Sequence, residues 1–221
     1  MTSCMAVAKT SSLGNDEKLF LVVVVALAII AGLGSWFAAT VLSRRDQPRG
    51  ILPDRPRQLV EFSLTASSGR TVTRADLDGK ILAVSFLFTG CALTCPEVSR
   101  RMEEIQRLTT GQPDVRLVSL TVDPRSDTPL VLAKWGARYG ADTNRWFLLT
   151  GGKAALYNVI GASFLATNAT DPFNSMPGNF TGTERIAVVD QHGQVRAFYS
   201  GLRTETPAEV VAEMERLRKQ N

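Results

Sequence analysis

The sequence predicts an α/β fold in which helices cover a largely buried sheet, and three observations carry that prediction. Two apolar runs of strand length stand out: Ile81–Phe88, which suits a strand buried on both faces of a sheet, and Val115–Val122 (VRLVSLTV). Each is followed by a turn signal and then by a stretch with helical spacing. Near the end, Arg185–Val189 and Gln194–Tyr199 form a hairpin pattern about Asp190-Gln191-His192-Gly193, ahead of a final helix.

The N-terminal region differs from the rest. Residues 1–18 are polar, and residues 19–43 (LFLVVVVALAIIAGLGSWFAATVLS) carry no charge. Roughly 25 residues at about 1.5 Å each reach about 37 Å, enough to cross a bilayer with some tilt. The run exceeds the hydrophobic region of a cleaved signal peptide, so a retained single-span anchor is expected. Residues 44–57 (RRDQPRGILPDRPR) read as a basic, solvated tether, with a folded domain over 58–221. Cys4 lies ahead of the span and is taken as incidental.

Within the domain, Val60–Leu64 alternates like a half-buried strand, Ser68-Gly69 turns, and Thr71–Thr73 pairs back as an N-terminal hairpin. Asp78-Gly79 leads into Ile81–Phe88, which Thr89-Gly90 end. Pro96 fits the first position of a helix with Val98, Met102, Ile105 and Leu108 facing the core. After Val115–Val122, Asp127-Thr128-Pro129 starts a helix that runs to about Tyr139 and stops at Gly140. Trp146–Leu149 reads as a strand and Ala154–Ile160 as a helix. The pattern then disappears over 167–183, a loop of functional length. Thr206-Pro207-Ala208-Glu209 reads as a capping box for the last helix, whose buried side is Val210, Val211, Met214 and Leu217. This order is that of a thioredoxin-like α/β sandwich, with the first hairpin as an N-terminal extension.

Composition narrows the function. The net charge is only +4 and no basic run interleaves with aromatics, which argues against nucleic acid. A single histidine rules out most multi-histidine metal centres, and two neighbouring cysteines among three indicate a localised site rather than a disulfide scaffold. Cys91 and Cys95 (Cys91-Ala-Leu-Thr-Cys95-Pro96) fall at a strand-to-helix turn. The partial positive charge at the helix N-terminus favours thiolate; Cys95, nearer that end, is one candidate for the more acidic thiol, and the order of the two stays open. Two such sulfurs can cycle through a disulfide or clamp a soft metal. Asp123, at the carboxyl end of the neighbouring strand, is a candidate to orient the site or accept a proton, with turn capping as the alternative.

Several stretches together resemble the SCO/SenC family of membrane-anchored thioredoxin-fold proteins. Phe88-Thr89-Gly90-Cys91-Ala92-Leu93-Thr94-Cys95-Pro96 is similar to that family's F-T-x-C-x-x-x-C-P signature. The segment from Ser119 to Pro129 is similar to its S-x-D-P-x-x-D-T-P segment, and Asp190-Gln191-His192-Gly193 to the turn of its last hairpin. The resemblance implies copper or thiol handling in assembly of the dinuclear copper centre of cytochrome c oxidase. The implied partner is the copper-centre subunit of that oxidase, or another redox or copper protein. Cys91 and Cys95 match the family's sulfur ligands. A metal-independent thiol–disulfide oxidoreductase or a redox sensor is the alternative.

The family's distal histidine has no counterpart. Counting back from Asp190 places it near Gly182, whereas the one histidine, His192, lies in the turn at the far end of the strand. Five residues of strand span about 17 Å, too far for substitution. Without imidazole, Cu(I) on two thiolates is favoured over Cu(II), with Met176 of the long loop as candidate thioether ligand and Glu184 a weaker one; a site with no metal also stands. For location, the arginines after residue 43 favour a cytoplasmic domain, while the resemblance favours a periplasmic domain on a single-pass bacterial inner-membrane anchor. Large domains cross against such a bias, and the periplasm is expected.

Overall fold

The computed structural model describes residues 50–53, 56–164 and 183–220, together with a few positions between 24 and 33. Met1–Gln47 and Pro48–Asn221 form separate compact units. Of the span expected over 19–43, only Val24, Leu27 and residues 29–33 are described, as helical and exposed; the rest lies outside the described residues. Among the described residues no helix is long and apolar enough to cross a membrane.

The second unit is built on one sheet. Its strands are β1 (Ser63–Ala66), β2 (Thr71–Thr73), β3 (Ile81–Leu87), β4 (Val115–Thr121), β5 (Trp146–Thr150), β6 (Arg185–Val189) and β7 (Val195–Ser200). They lie in the order β2-β1-β5-β4-β3-β6-β7. The inner strands β3, β4 and β5 are parallel, and the remaining pairs are antiparallel. All seven residues of β3 are buried, because helices cover both faces of the sheet. Successive side chains alternate between two cores: Ile81, Ala83 and Leu87 face one, and Leu82, Val84 and Phe86 the other.

Among the described residues four α-helices supply the outer layers: α1 (Thr94–Leu108), α2 (Pro129–Arg138), α3 (Lys153–Phe164) and α4 (Thr206–Lys219). Val98, Met102 and Ile105 of α1, Leu132 and Trp135 of α2, and Val210, Met214 and Leu217 of α4 share one core. Leu156, Val159, Ile160 and Phe164 of α3 fill the other. Two successive right-handed crossovers in one direction must put α1 and α2 on the same face, as found. Trp135 Nε1 donates to Ser99 Oγ at 3.0 Å and ties the two helices together. Beneath them, Ser85 and Ser119 are paired at 2.7 Å, and Trp146 Nε1 donates to Ser119 at 2.9 Å, so these buried polar groups are satisfied.

The α/β thioredoxin-like prediction and the N-terminal hairpin hold, with local corrections. The helix expected to open at Pro96 opens at Thr94, which makes Pro96 the third helical residue, where its missing N–H still costs no bond. Leu108 is exposed, and Thr109 is buried in its place, donating through Oγ1 to Ile105 O at 2.8 Å. The last helix lacks the expected capping box: Thr206 is already helical and buried, and its hydroxyl donates to Ser200 O at 2.5 Å. The helix at Thr128 is as expected. Thr128 Oγ1 accepts from Val131 N at 3.4 Å, and Gly140 follows the helix at φ +57.

The tether expected over 44–57 is, at its C-terminal end, part of the fold. Ile51 pairs with Phe198 and Gln58 with Gln194, both antiparallel, so this segment straps the outer edge of β7. Val195 N donates to Arg57 O at 2.9 Å, and Arg57 is buried. The unpaired edge of β7 explains the capture, since its N–H and C=O groups need partners.

Met102 is wholly buried between α1 and the sheet. Met102→Ala is expected to cost about 2–5 kcal/mol in urea unfolding, with an unchanged denaturant slope.

Candidate functional site

The cysteine turn leaves the C-terminal end of β3 and enters α1. Cys91 N donates to Phe88 O at 3.1 Å, which folds the chain back at once. Because α1 begins at Thr94, Cys95 lies inside its first turn. It heads the buried stripe continued by Val98, Met102 and Ile105 and is itself wholly buried. Cys91 stays half-exposed outside the helix, and its sulfur faces the orphan donors of the helix N-terminus. Cys95 N donates to Cys91 Sγ at 3.2 Å, and Thr94 Oγ1 lies 3.2 Å from the same sulfur. Both thiols are free.

This arrangement reverses the expected acidity. For Cys91, partial burial acts upward. Hydrogen bonds from the Cys95 thiol, the Thr94 hydroxyl and the backbone N–H groups of Cys95 and Leu93 outweigh it, and the pKa falls to about 7. For Cys95, burial dominates, and its bond to Cys91 adds to it, so its pKa is pushed up to about 12. Position near the helix start matters less than which sulfur the N–H groups reach. Cys91 is therefore the more acidic and more reachable thiol of the pair, and Cys95 the buried, protonated one.

The other expected residues fall in different places. Asp123 is half-buried in the loop after β4 and acts through its backbone. Its N–H donates to Thr121 Oγ1 at 3.0 Å, and its carbonyl accepts from Ser126 N at 3.2 Å and Asp127 N at 2.9 Å. Met176 lies outside the described residues. His192 is exposed in the β6–β7 turn, where its N–H donates to Asp190 Oδ1 at 3.0 Å, at the opposite end of β6 from the cysteines. Glu184 gives its carbonyl to Gly201 N at 2.6 Å.

Two contributors were not assigned a role from the sequence. Thr183, next to the position counted for the family's histidine, is buried with Oγ1 3.5 Å from Thr94 Oγ1. The chain thus brings a hydroxyl to where that count placed imidazole. Asp127, within the helix-start motif, is wholly buried and accepts from Thr89 N at 3.1 Å, Thr89 Oγ1 at 2.5 Å and Thr121 Oγ1 at 2.5 Å. The available signal was a threonine closing each of two apolar strands. Among the described residues, no His, Asp or Glu joins the sulfurs in a group of three able to hold a metal.

A thioredoxin-like domain with an acidified thiol ahead of a helix and a buried thiol in its first turn is a dithiol domain, and two such sulfurs have the chemistry for disulfide exchange or for holding a soft metal. The chain belongs to the SCO1/SenC family, which it matches over residues 53–219. It is 34% identical over 91 residues to a SCO1 protein homolog of Bacillus subtilis (strain 168), covering 41% of this chain and 47% of that protein. The chain spans about half the length of the curated relatives it matches. Among solved structures, a SCO1/SenC family lipoprotein from Bacillus anthracis str. Ames is similar at TM-score 0.63 and 27% identity, over 75% of this chain and 98% of that one. Bradyrhizobium japonicum ScoI with copper bound is similar at TM-score 0.56 and 25% identity, over 72% and 98%.

Of the Cys91–Cys95 pair, iodoacetamide should modify Cys91 and spare Cys95 in the folded, reduced protein, at a rate that rises through a midpoint near the pKa of about 7, and modification of the peptide carrying the pair should vanish in Cys91→Ser. The same value sets a stability trend. Cys91 sits below the ordinary thiol pKa of 9.0, so its contribution is full above pH 9 and is lost as pH falls through about 7. Thermal unfolding midpoints of the reduced protein should therefore rise between pH 7 and 9, and Cys91→Ala should flatten that rise.

Proposed function

We propose that this SCO1/SenC domain handles thiols and Cu(I) through Cys91 and Cys95 in assembly of the copper centre of cytochrome c oxidase. The observation that carries the proposal is the asymmetry of the pair: one sulfur reachable and acidified, the other buried and protonated. The family membership directs this chemistry toward oxidase assembly.

In thiol exchange, the Cys91 thiolate attacks one sulfur of a partner disulfide. A bond forms between Cys91 and that sulfur, the partner's S–S bond breaks, and the leaving thiolate takes a proton. Cys95 then loses its proton and attacks Cys91 Sγ. The mixed disulfide breaks, the partner's second thiol leaves, and two electrons have passed to the partner. A buried resolving thiol suits this order, because it stays protonated until a disulfide forms beside it.

Copper is cargo on the same sulfurs. Two thiolates are soft donors that favour Cu(I), and the chain's one histidine is at the far end of β6, which leaves Cu(II) without imidazole. Met176 is the proposed thioether third ligand. The chain is proposed to be held by a single span over 19–43 in a bacterial inner membrane, with the domain in the periplasm. There disulfide cycling is chemically supported.

The second reading, a metal-independent thiol–disulfide oxidoreductase, is favoured by the sequence itself, which has no histidine at the position counted for the family's ligand near Gly182. Adding Cu(I) and Cu(II) separately to reduced protein distinguishes the two. Copper handling predicts about one Cu(I) retained per chain against a competing chelator, no Cu(II), loss of binding in Cys91→Ala and weakening in Met176→Ala. Retention of neither ion, beside a measurable dithiol potential, rejects copper handling and leaves the oxidoreductase. An alkaline-phosphatase fusion after Asn221 should be active, and an inactive one would put the domain in the cytoplasm.

A further inference from the structure

Asp127 is a carboxylate with no exposure to water, and neither the helix nor the dithiol chemistry above accounts for it. Thr128 caps α2, so Asp127 is not needed for that task. Its acceptors are filled from two threonines closing adjacent parallel strands. Thr89 N lies 3.1 Å from Oδ1 and 3.2 Å from Oδ2, Thr89 Oγ1 donates to Oδ1 at 2.5 Å, and Thr121 Oγ1 donates to Oδ2 at 2.5 Å. Leu87 and Thr121 are paired at the end of the β3–β4 ladder and Thr89 follows Leu87 by two residues, so Asp127 links the C-terminal exits of both strands. A buried carboxylate is tolerated only with its lone pairs occupied, and removal of one side of such a set leaves buried donors unpaired.

Thr89 stands two residues ahead of Cys91, and Phe88 O takes the Cys91 N–H at 3.1 Å. Fixing Thr89 therefore fixes the origin of the turn that aims Cys91 Sγ at Cys95 N. We propose that Asp127 is a positioning residue for the dithiol, clamping Thr89 so that the 88–95 turn holds the reduced geometry and thereby setting the dithiol/disulfide equilibrium. This rests on the thiol-exchange reading above. Cys95 N and Thr94 Oγ1 each lie 3.2 Å from the reduced Cys91 sulfur, and a disulfide sulfur accepts such donors more weakly. Loosening the clamp removes part of the preference for the reduced pair and makes it the stronger reductant.

The test is a redox titration of the metal-free full chain in glutathione buffers. Oxidised glutathione gives up its S–S bond, the two protein thiols lose their hydrogens to form the Cys91–Cys95 bond, and two glutathione thiols result. Acid quenching and alkylation, with mass spectrometry of the tryptic peptide 81–100, give the fraction oxidised at this pair alone. Asp127→Ala is expected to shift the equilibrium toward disulfide by about tenfold or more, equivalent to about 30 mV for a two-electron couple. Asp127→Asn keeps the shape and one acceptor, the threonine hydroxyls can reverse, and the constant should return to within about threefold of the unmodified chain. Thr128→Ala should lower the melting temperature and leave the constant in place. An Asp127→Ala constant within about threefold of the unmodified chain overturns the proposal, as does an Asn variant displaced as far as Ala. If Asp127→Ala fails to fold, Thr89→Val must move the constant in the same direction, and an unmoved constant overturns the proposal. Absence of any dithiol/disulfide equilibrium in the unmodified chain rejects the thiol-exchange reading itself, a result distinct from an unresponsive Asp127.

Discussion

The hydrogen bond from Cys95 N to Cys91 Sγ, at 3.2 Å, depends on nearly everything else in the domain. It exists because α1 starts at Thr94, because β3 delivers the chain to that point, and because Phe88 O folds Cys91 back onto the helix. The same backbone position that donates to one sulfur carries the other into the core. One residue thus acidifies its neighbour and is itself kept protonated, and the chemical difference between two identical side chains follows from where a helix begins.

Much of the fold was legible because burial on both faces leaves a plain mark. Ile81–Leu87 and Val115–Thr121 are largely apolar runs, and helices cover both sides of them. The Gly140 stop, the Thr128 cap and the Asp190–Gly193 turn were readable for a related reason: each rests on local chemistry within a few residues. The site was legible as a pair of sulfurs but not as an ordered pair. Cys95 sits nearer the helix start in sequence, yet the sulfur that N–H groups reach belongs to Cys91, and that depends on whether Pro96 is the first or the third helical residue. Asp127 was read through its neighbours, and the strap over β7 through its composition. Both take their roles from partners far away in the chain, at Thr89 and at Gln194–Phe198.

The departure from the family pattern is also clearer in three dimensions. Thr183 reaches Thr94, so the chain does pass the cysteine turn where the family's imidazole was expected, and it brings a hydroxyl. A hydroxyl donates to a thiolate and is a poor ligand for a soft ion. Among the described residues, the cysteine turn therefore gathers the sulfur pair and the hydroxyls of Thr94 and Thr183.

The strap formed by Ile51 and Gln58 alters how the sheet meets other molecules. An open strand invites pairing from any extended chain, and β7 is the longer of the two outermost strands. With that border occupied from within the same polypeptide, the described sheet offers strangers only the three residues of β2. Recruitment by strand addition thus has little foothold along that border.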